Sequence, residues 1–353
     1  MSPTPTRSLT SSTTAEAVAG LRRARTRRWA SVVTVLSVLV ITVFVASLMI
    51  GQTFYPIDEV ARVVAGQQVP GASFTVGRLR LPRAVLAVLV GLCFGLGGVT
   101  FQTMLRNPLA SPDIIGISSG ASAAAVFGIV TLGLGSTGVS VLAIVAGLGV
   151  ALLIYALAFT NGAAGIRLIL VGIGISSMLT ALINWELTRA AQWDLQEALR
   201  WLAGSLNGAN WDAVIPVLIA LVLLCPLLIG QSKNLAITQL GDDTAEALGV
   251  RVSRTRLFVI VTAVGLIAFA TAAAGPVAFV AFLSGPIAAR LTGPGPSPLI
   301  PAGLVGALLV LTADLVGQFV LGTRYPVGVV TGILGAPYLL YLIIRINRSG
   351  GSL

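Results

Sequence analysis

The chain has no histidine, one lysine, two cysteines and few charges of either sign: Asp, Glu, Lys and Arg make up 10% of its 353 residues. A soluble domain carries about 25% charged residues. Charges this sparse cannot cover a globular surface, so lipid must be the solvent for most of the chain. Without histidine, the commonest transition-metal ligand and the usual general base are missing. Cys93 and Cys225 both lie in apolar runs, where they suit packing better than a disulfide. The lone lysine, in Gln231-Ser232-Lys233-Asn234, lacks the G-x-x-x-x-G-K-[ST] frame of a phosphate-binding loop. No nucleophile–base pair and no metal-ligand cluster appears. These absences predict a chain with no catalytic residue, no cofactor, no metal and no nucleic-acid partner.

What is present is apolar. Hydrophobic residues make up 56% of the chain, mean hydropathy is +0.96, and 40 glycines suit closely packed transmembrane helices. Residues 1–28 are rich in Ser, Thr and Arg without an apolar period, and read as a disordered basic tail. Trp29–Ile50 follows, at about 20 residues long enough to cross the hydrocarbon core and too long for a signal-peptide core. Further apolar runs cover Arg83–Leu105, Ile114–Leu132, Gly138–Thr160, Ile166–Arg189 and Trp211–Gly230. The last four are Thr255–Ala274, Val277–Thr292, Leu299–Leu321 and Val327–Ile346. The expectation is an all-α membrane protein of about ten transmembrane helices, with residues 29–348 as one domain.

Ten spans put both termini on one side. With the tail in the cytoplasm, fifteen Lys and Arg lie inside and seven outside, in keeping with the positive-inside rule. That places the chain in the cytoplasmic membrane with both ends inside. Four of the outer seven cluster at Arg62, Arg78, Arg80 and Arg83. They either snorkel at the interface or dock an acidic partner. Two acidic residues lie well inside spans. Glu186 has Arg189 three residues on, as a helical ion pair would. Asp314 stands alone in the ninth span, either as a structural hydrogen-bonding group or as a functional one.

The longest internal hydrophilic segment runs from Gln231 to Arg256. Near residues 239–250 it predicts a short amphipathic helix, with Asp242 and Asp243 at its N-terminus and Gly249 as its stop. Such a helix either lies on the bilayer or fits a groove in a cytoplasmic partner.

An ordered set of motifs carries a resemblance. Arg80-Leu81-Pro82-Arg83 leads a Gly-rich span ending in Arg106-Asn107-Pro108-Leu109-Ala110, and Gly116-Ile117-Ser118-Ser119-Gly120 follows. Later come Trp201-Leu202-Ala203-Gly204-Ser205-Leu206, Ala247-Leu248-Gly249-Val250 and Gly275-Pro276-Val277-Ala278-Phe279. Ala313-Asp314-Leu315, Pro326-Val327-Gly328 and Gly335-Ala336-Pro337 close the series. Over residues 30–347 the chain resembles the FecCD-type permease subunits of bacterial ABC importers for iron-siderophores, haem and vitamin B12.

That resemblance implies a type II ABC importer permease fold, and a permease that works paired with a second one. Two copies of a separate ATPase would dock on one side and an extracytoplasmic substrate-binding protein on the other. It implies an ATPase-coupling helix carrying Asp242, Asp243, Ala245, Glu246, Leu248 and Gly249. It implies docking arginines at Arg80 and Arg83, and a cytoplasmic gate at Gly165 and Ile166. Gln318 stands where some relatives carry a third docking arginine, and Arg324 where the family often has Glu. The segment Ser284-Gly285-Pro286-Ile287 lacks the family's usual Pro-His and resembles the G-type subunit of ferric-enterobactin systems. An iron-siderophore permease, one half of a heterodimer, is therefore expected. A vitamin B12 or haem permease of the same family is the alternative. A proton- or sodium-coupled transporter would need carboxylates at mid-membrane, and Asp314 is the lone candidate. An intramembrane enzyme would need convergent catalytic groups that are absent.

Overall fold

The computed structural model describes residues 11–112, 116–158, 165–293 and 295–348. Among them every regular element is helical. Helix α1 (Ser11–Met49) crosses first, followed by short α2 (Ile57–Val64). A π-helical stretch, Ser73–Arg80, runs straight into α3 (Leu81–Met104). Then come α4 (Ile117–Val130), α5 (Ser136–Ala158) and α6 (Gly165–Arg189). Short α7 (Gln192–Leu202) precedes α8 (Trp211–Gly230). Two small helices, α9 (Ser232–Thr238) and α10 (Asp242–Ala247), lead to α11 (Val252–Ala274). The bundle closes with α12 (Val280–Thr292), α13 (Leu299–Phe319) and α14 (Val327–Arg348).

Seven of these helices are long and apolar enough to cross a membrane, and α4, α12 and α14 supply three shorter apolar ones. They match the ten expected spans in order. The end where α1 begins and α3 finishes is termed the tail end, and the opposite one the rim end.

Helix α3 is the hub. It is apolar all round, as a helix enclosed by others must be, and 83% of its apolar window is buried against 17% for α1. It packs against α13, α11, α12 and α8. Backbones meet closely at α3–α13: a methyl group on Gly91 would sit 2.4 Å from the Gly306 carbonyl oxygen, and one on Gly95 2.3 Å from that of Ala302. Small residues at these turns let the helices approach, as in other membrane bundles.

The elements depart from expectation in several places. The helical path begins at Ser11, so the segment read as a disordered tail is helical from there. Its Ala-, Leu- and Arg-rich stretch has high helix propensity and propagates from the apolar span. Arg28 and Trp29 fasten it to the end of α12 and the loop that follows: Arg28 Nε and Nη2 donate to the Leu291 carbonyl, and Trp29 Nε1 to that of Ser297 at 2.8 Å. Helix α12 starts at Val280 instead of Val277, because Phe279 takes a left-handed conformation, φ 62. Helix α7 has no counterpart among the expected elements. It is too short and too polar to register as a span, yet Ala198 on it is fully buried.

Candidate functional site

At the tail end, α10 is bolted to the bundle through one carboxylate. Asp242, its first residue, accepts from Arg256 Nη2 at 2.7 and 2.8 Å and from Arg106 Nη2 at 2.5 Å. Arg256 comes from the first turns of α11. Arg106 comes from the end of α3, which closes in a Schellman motif: Asn107 N–H donates to the Gln102 carbonyl and Arg106 N–H to that of Thr103. The motif forces its C′ residue into the left-handed region, where Arg106 sits at φ 51. That conformation disfavours a side-chain-bearing residue by about 1–2 kcal/mol, and it aims the guanidinium at Asp242. The carboxylate also lies at the positive end of α10.

Ala245 is fully buried and packs with Val250, Val252 and Ile237. Ala245, expected among the coupling residues, points inward and seats the helix. Asp243, Glu246, Leu248 and Gly249 are exposed, as is Leu240 just before the helix. Leu240 and Leu248, 64% and 60% exposed, are two large apolar side chains on a polar end of the molecule.

At the rim end, Arg80 and Arg83, the expected docking arginines, are engaged within the chain. Arg80 Nη1 donates to the Leu48 and Met49 carbonyls at 2.8 and 2.9 Å, and Nη2 to that of Thr53 at 2.7 Å. It thereby caps the orphan carbonyls that close α1, and its guanidinium lies over the Tyr55 ring at 5.1 Å. Arg83 forms a bidentate pair with Asp314: Nε to Oδ2 at 2.9 Å and Nη2 to Oδ1 at 2.7 Å. Its Nη1 donates to Asn207 Oδ1 at 2.7 Å, and Gln318 Nε2 donates to Asp314 Oδ2 at 2.7 Å. The pair is largely enclosed, with side-chain exposures of 19% and 8%.

Asp314 is therefore not a lone carboxylate, and Gln318 supplies it with a hydrogen bond. Arg78 and Arg324 are exposed with no partner among the described residues. Arg62 is exposed and pairs with Asp58 one turn back.

Glu186 also departs from expectation. Arg189 does not pair with it but stacks over Trp185 at 4.3 Å. Glu186 is buried and takes a hydrogen bond from Thr131 Oγ1 at 2.7 Å. The gate expected at Gly165 and Ile166 falls at the first residues of α6, whose side chains, with residues 159–164, lie outside the described set. Among the described residues no cluster of three or more His, Cys, Asp or Glu could hold a metal.

Arg106, Arg256 and Asn207 complete the two networks without having been singled out from the sequence. Each lies far along the chain from its network, at separations of 14 to 136 residues, and no local pattern marks such partners.

Comparison with known proteins places this architecture. The model of the FecCD transport family matches residues 38–345. The ferric enterobactin transport system permease protein of Escherichia coli (strain K12) is 37% identical over 82% of this chain and 88% of its own length. The achromobactin transport system permease protein of Dickeya dadantii (strain 3937) is 39% identical over 87% and 89%. The solved structure of a metal-chelate type ABC transporter in an inward-facing conformation superposes with a TM-score of 0.80 at 27% identity. The match covers 89% of this chain and 99% of that one.

Proposed function

This chain belongs to the FecCD transport family, and on that premise we propose that it is the permease subunit of an ATP-driven importer of an iron-siderophore complex. It would lie in the cytoplasmic membrane with the tail end inside. The observation that carries the reading is α10: a short helix outside the spans, clamped to α3 and α11 through Asp242, with Asp243, Glu246, Leu248 and Gly249 turned outward. That is the build of a helix that transmits force to a partner groove. ATP hydrolysis would belong to a separate ATPase docked there, two copies per transporter, since the chain has no phosphate loop. Movement of that ATPase would be passed by Arg106 and Arg256 directly into α3 and α11, the buried centre of the bundle.

An extracytoplasmic binding protein would dock on the rim. Arg78 and Arg324 offer uncommitted positive charge there, while Arg80 and Arg83 hold the rim's shape, with Gln318 serving the Arg83–Asp314 pair. Gly165 and Ile166, at the tail-end start of α6, are kept as the gate because small or modest apolar side chains let two permeases close together and part again.

An iron-siderophore is favoured because relatives named for ferric enterobactin and achromobactin match over more than four-fifths of this chain. Cobalamin is the second reading, since a cobalamin import permease of Halobacterium salinarum is 34% identical over 77% of the chain. Uptake of radiolabelled iron-siderophores and of cobalamin in a deletion strain decides between them. Iron uptake should fall and return with the gene restored; loss of cobalamin uptake alone would move the assignment to the second reading.

A further inference from the structure

Beside α10, a cleft of about 390 Å³ opens between the end of α8 with α9 and the start of α11. Arg251, Arg254, Gln231 and Asn234 line it, and Phe258 forms part of its wall. The lining contains no carboxylate. Neither arginine has a hydrogen bond or ion pair among the described residues. Asp242 on neighbouring α10 is already neutralised by Arg106 and Arg256. Asn234 Nδ2 donates to Gln231 Oε1 at 2.8 Å, which leaves the Gln231 amide N–H groups as donors to the cleft. The cleft therefore offers two guanidiniums and the Gln231 amide N–H groups as donors, with no carboxylate in the lining to satisfy them.

Phe258 leads from the cleft toward exposed apolar side chains on the two helices. On α11, Arg254, Phe258 and Val261 follow one another at i, i+4 and i+7, on one face. On α8, Leu223, Leu227 and the C-cap residue Gln231 do the same at intervals of four. Phe258, Val261, Leu223 and Leu227 are all exposed, and α8 packs against α11. One turn of helix, about 5 Å, thus separates a basic, donor-rich mouth from an apolar furrow running into the membrane-spanning region. A free phosphate or an acidic protein segment has no use for the furrow. An amphiphile with an anionic head has use for both parts.

We propose that this cleft binds an anionic phospholipid, its phosphate held by Arg251, Arg254 and Gln231 and its acyl chains laid along α8 and α11. Basic pockets between helices at a membrane surface take phosphate headgroups by this chemistry. The bound lipid would brace the segment that connects α10 to α11. The inference needs the helices to span a bilayer; it does not depend on which substrate is carried.

Native mass spectrometry of the full chain, released from vesicles of phosphatidylglycerol and phosphatidylcholine, tests it. Phosphatidylglycerol should be retained over phosphatidylcholine. Arg251→Gln and Arg254→Gln should each lower that retention about fivefold, as about 1 kcal/mol per arginine near an anionic surface implies. The control Arg78→Gln, at the rim end, should leave it unchanged. A diazirine-bearing phosphatidylglycerol on the unaltered chain should cross-link to the peptide containing Phe258, which removes any dependence on how the variants fold. Equal phosphatidylglycerol retention by the double variant and the unaltered chain would overturn the proposal. So would cross-links confined to other helices, or displacement of the lipid by millimolar inorganic phosphate, which would make this a simple anion site. Variants that keep the lipid but lose a co-expressed ATPase would assign the arginines to a protein contact instead.

Discussion

At the scale of single residues, Arg83 and Asp314 show how position overrides type. Arg83 opens α3 and Asp314 sits near the end of α13, 231 residues apart, and only the close α3–α13 approach at Gly91 and Gly95 brings them together. In the sequence Asp314 is an unexplained charge in a span and Arg83 a rim cation; in the fold each explains the other. Removing one partner of an enclosed pair leaves the other charge uncompensated, at about 3–5 kcal/mol, whereas replacing both by apolar groups is far milder. Arg83→Leu and Asp314→Leu should therefore each lower the unfolding temperature in detergent or abolish accumulation, and the double variant should recover most of the loss. Additive losses in the thermal melts would show that the pair is not coupled. The same logic shifts the docking test away from Arg80 and Arg83, whose reversal would damage the fold first. Reversing Arg78 and Arg324 to Glu should leave the melting temperature within a degree or two. It should slow association with the binding protein and flatten its salt dependence, as loss of steering charge does. Unchanged association rates at low and high salt would remove both arginines from the docking surface.

Among elements, the long spans were legible because length and composition suffice for a membrane helix; α8 begins and ends at Trp211 and Gly230 as read from its apolar run. The elements that escaped, α2, α7, α9 and the π-helical Ser73–Arg80, are short and held by tertiary contacts that no local period announces. Helix α10 lies between these cases. Its existence was readable from Asp242, Asp243 and Gly249, but which face it buries was not. A six-residue helix is under two turns, and the buried position, Ala245, is set by Val250, Val252 and Ile237 beneath it. This changes what a mutation there reports. Ala245→Arg would force a charge into a fully buried site, so it should lower the amount of folded protein as well as transport. Leu248→Asp alters an exposed apolar side chain, so it should leave folding and membrane insertion intact while cutting siderophore uptake at least tenfold. Uptake by Leu248→Asp at the level of the unaltered protein, with equal amounts in the membrane, would detach α10 from the coupling role.

At the scale of the whole molecule, what one chain cannot satisfy alone points to how many kinds of permease form the transporter. The rim carries Arg78 and Arg324 as positive charge with no partner among the described residues, and Arg324 stands where the resemblance leads one to expect Glu. Gln318, where some relatives place an arginine, is committed to Asp314 inside the chain. Two identical copies about a two-fold axis would repeat each of these features on both halves of the mouth. Arg324 would then face the binding protein twice, with the acidic residue missing from both sides. A different permease that keeps the Glu and the third arginine would give the rim one half of each character, and so a single preferred orientation for an asymmetric binding protein. The expected outcome is a heterodimer. Affinity purification of this chain, tagged at its own locus, should bring down a second FecCD-type permease in equal amount together with the ATPase. Reconstituted with the ATPase alone, the chain should show no transport and no ATP turnover stimulated by the binding protein. An active complex that contains this chain as its sole permease would establish the homodimer, and would require the doubled Arg324 charge to be balanced by acidic groups on the binding protein itself.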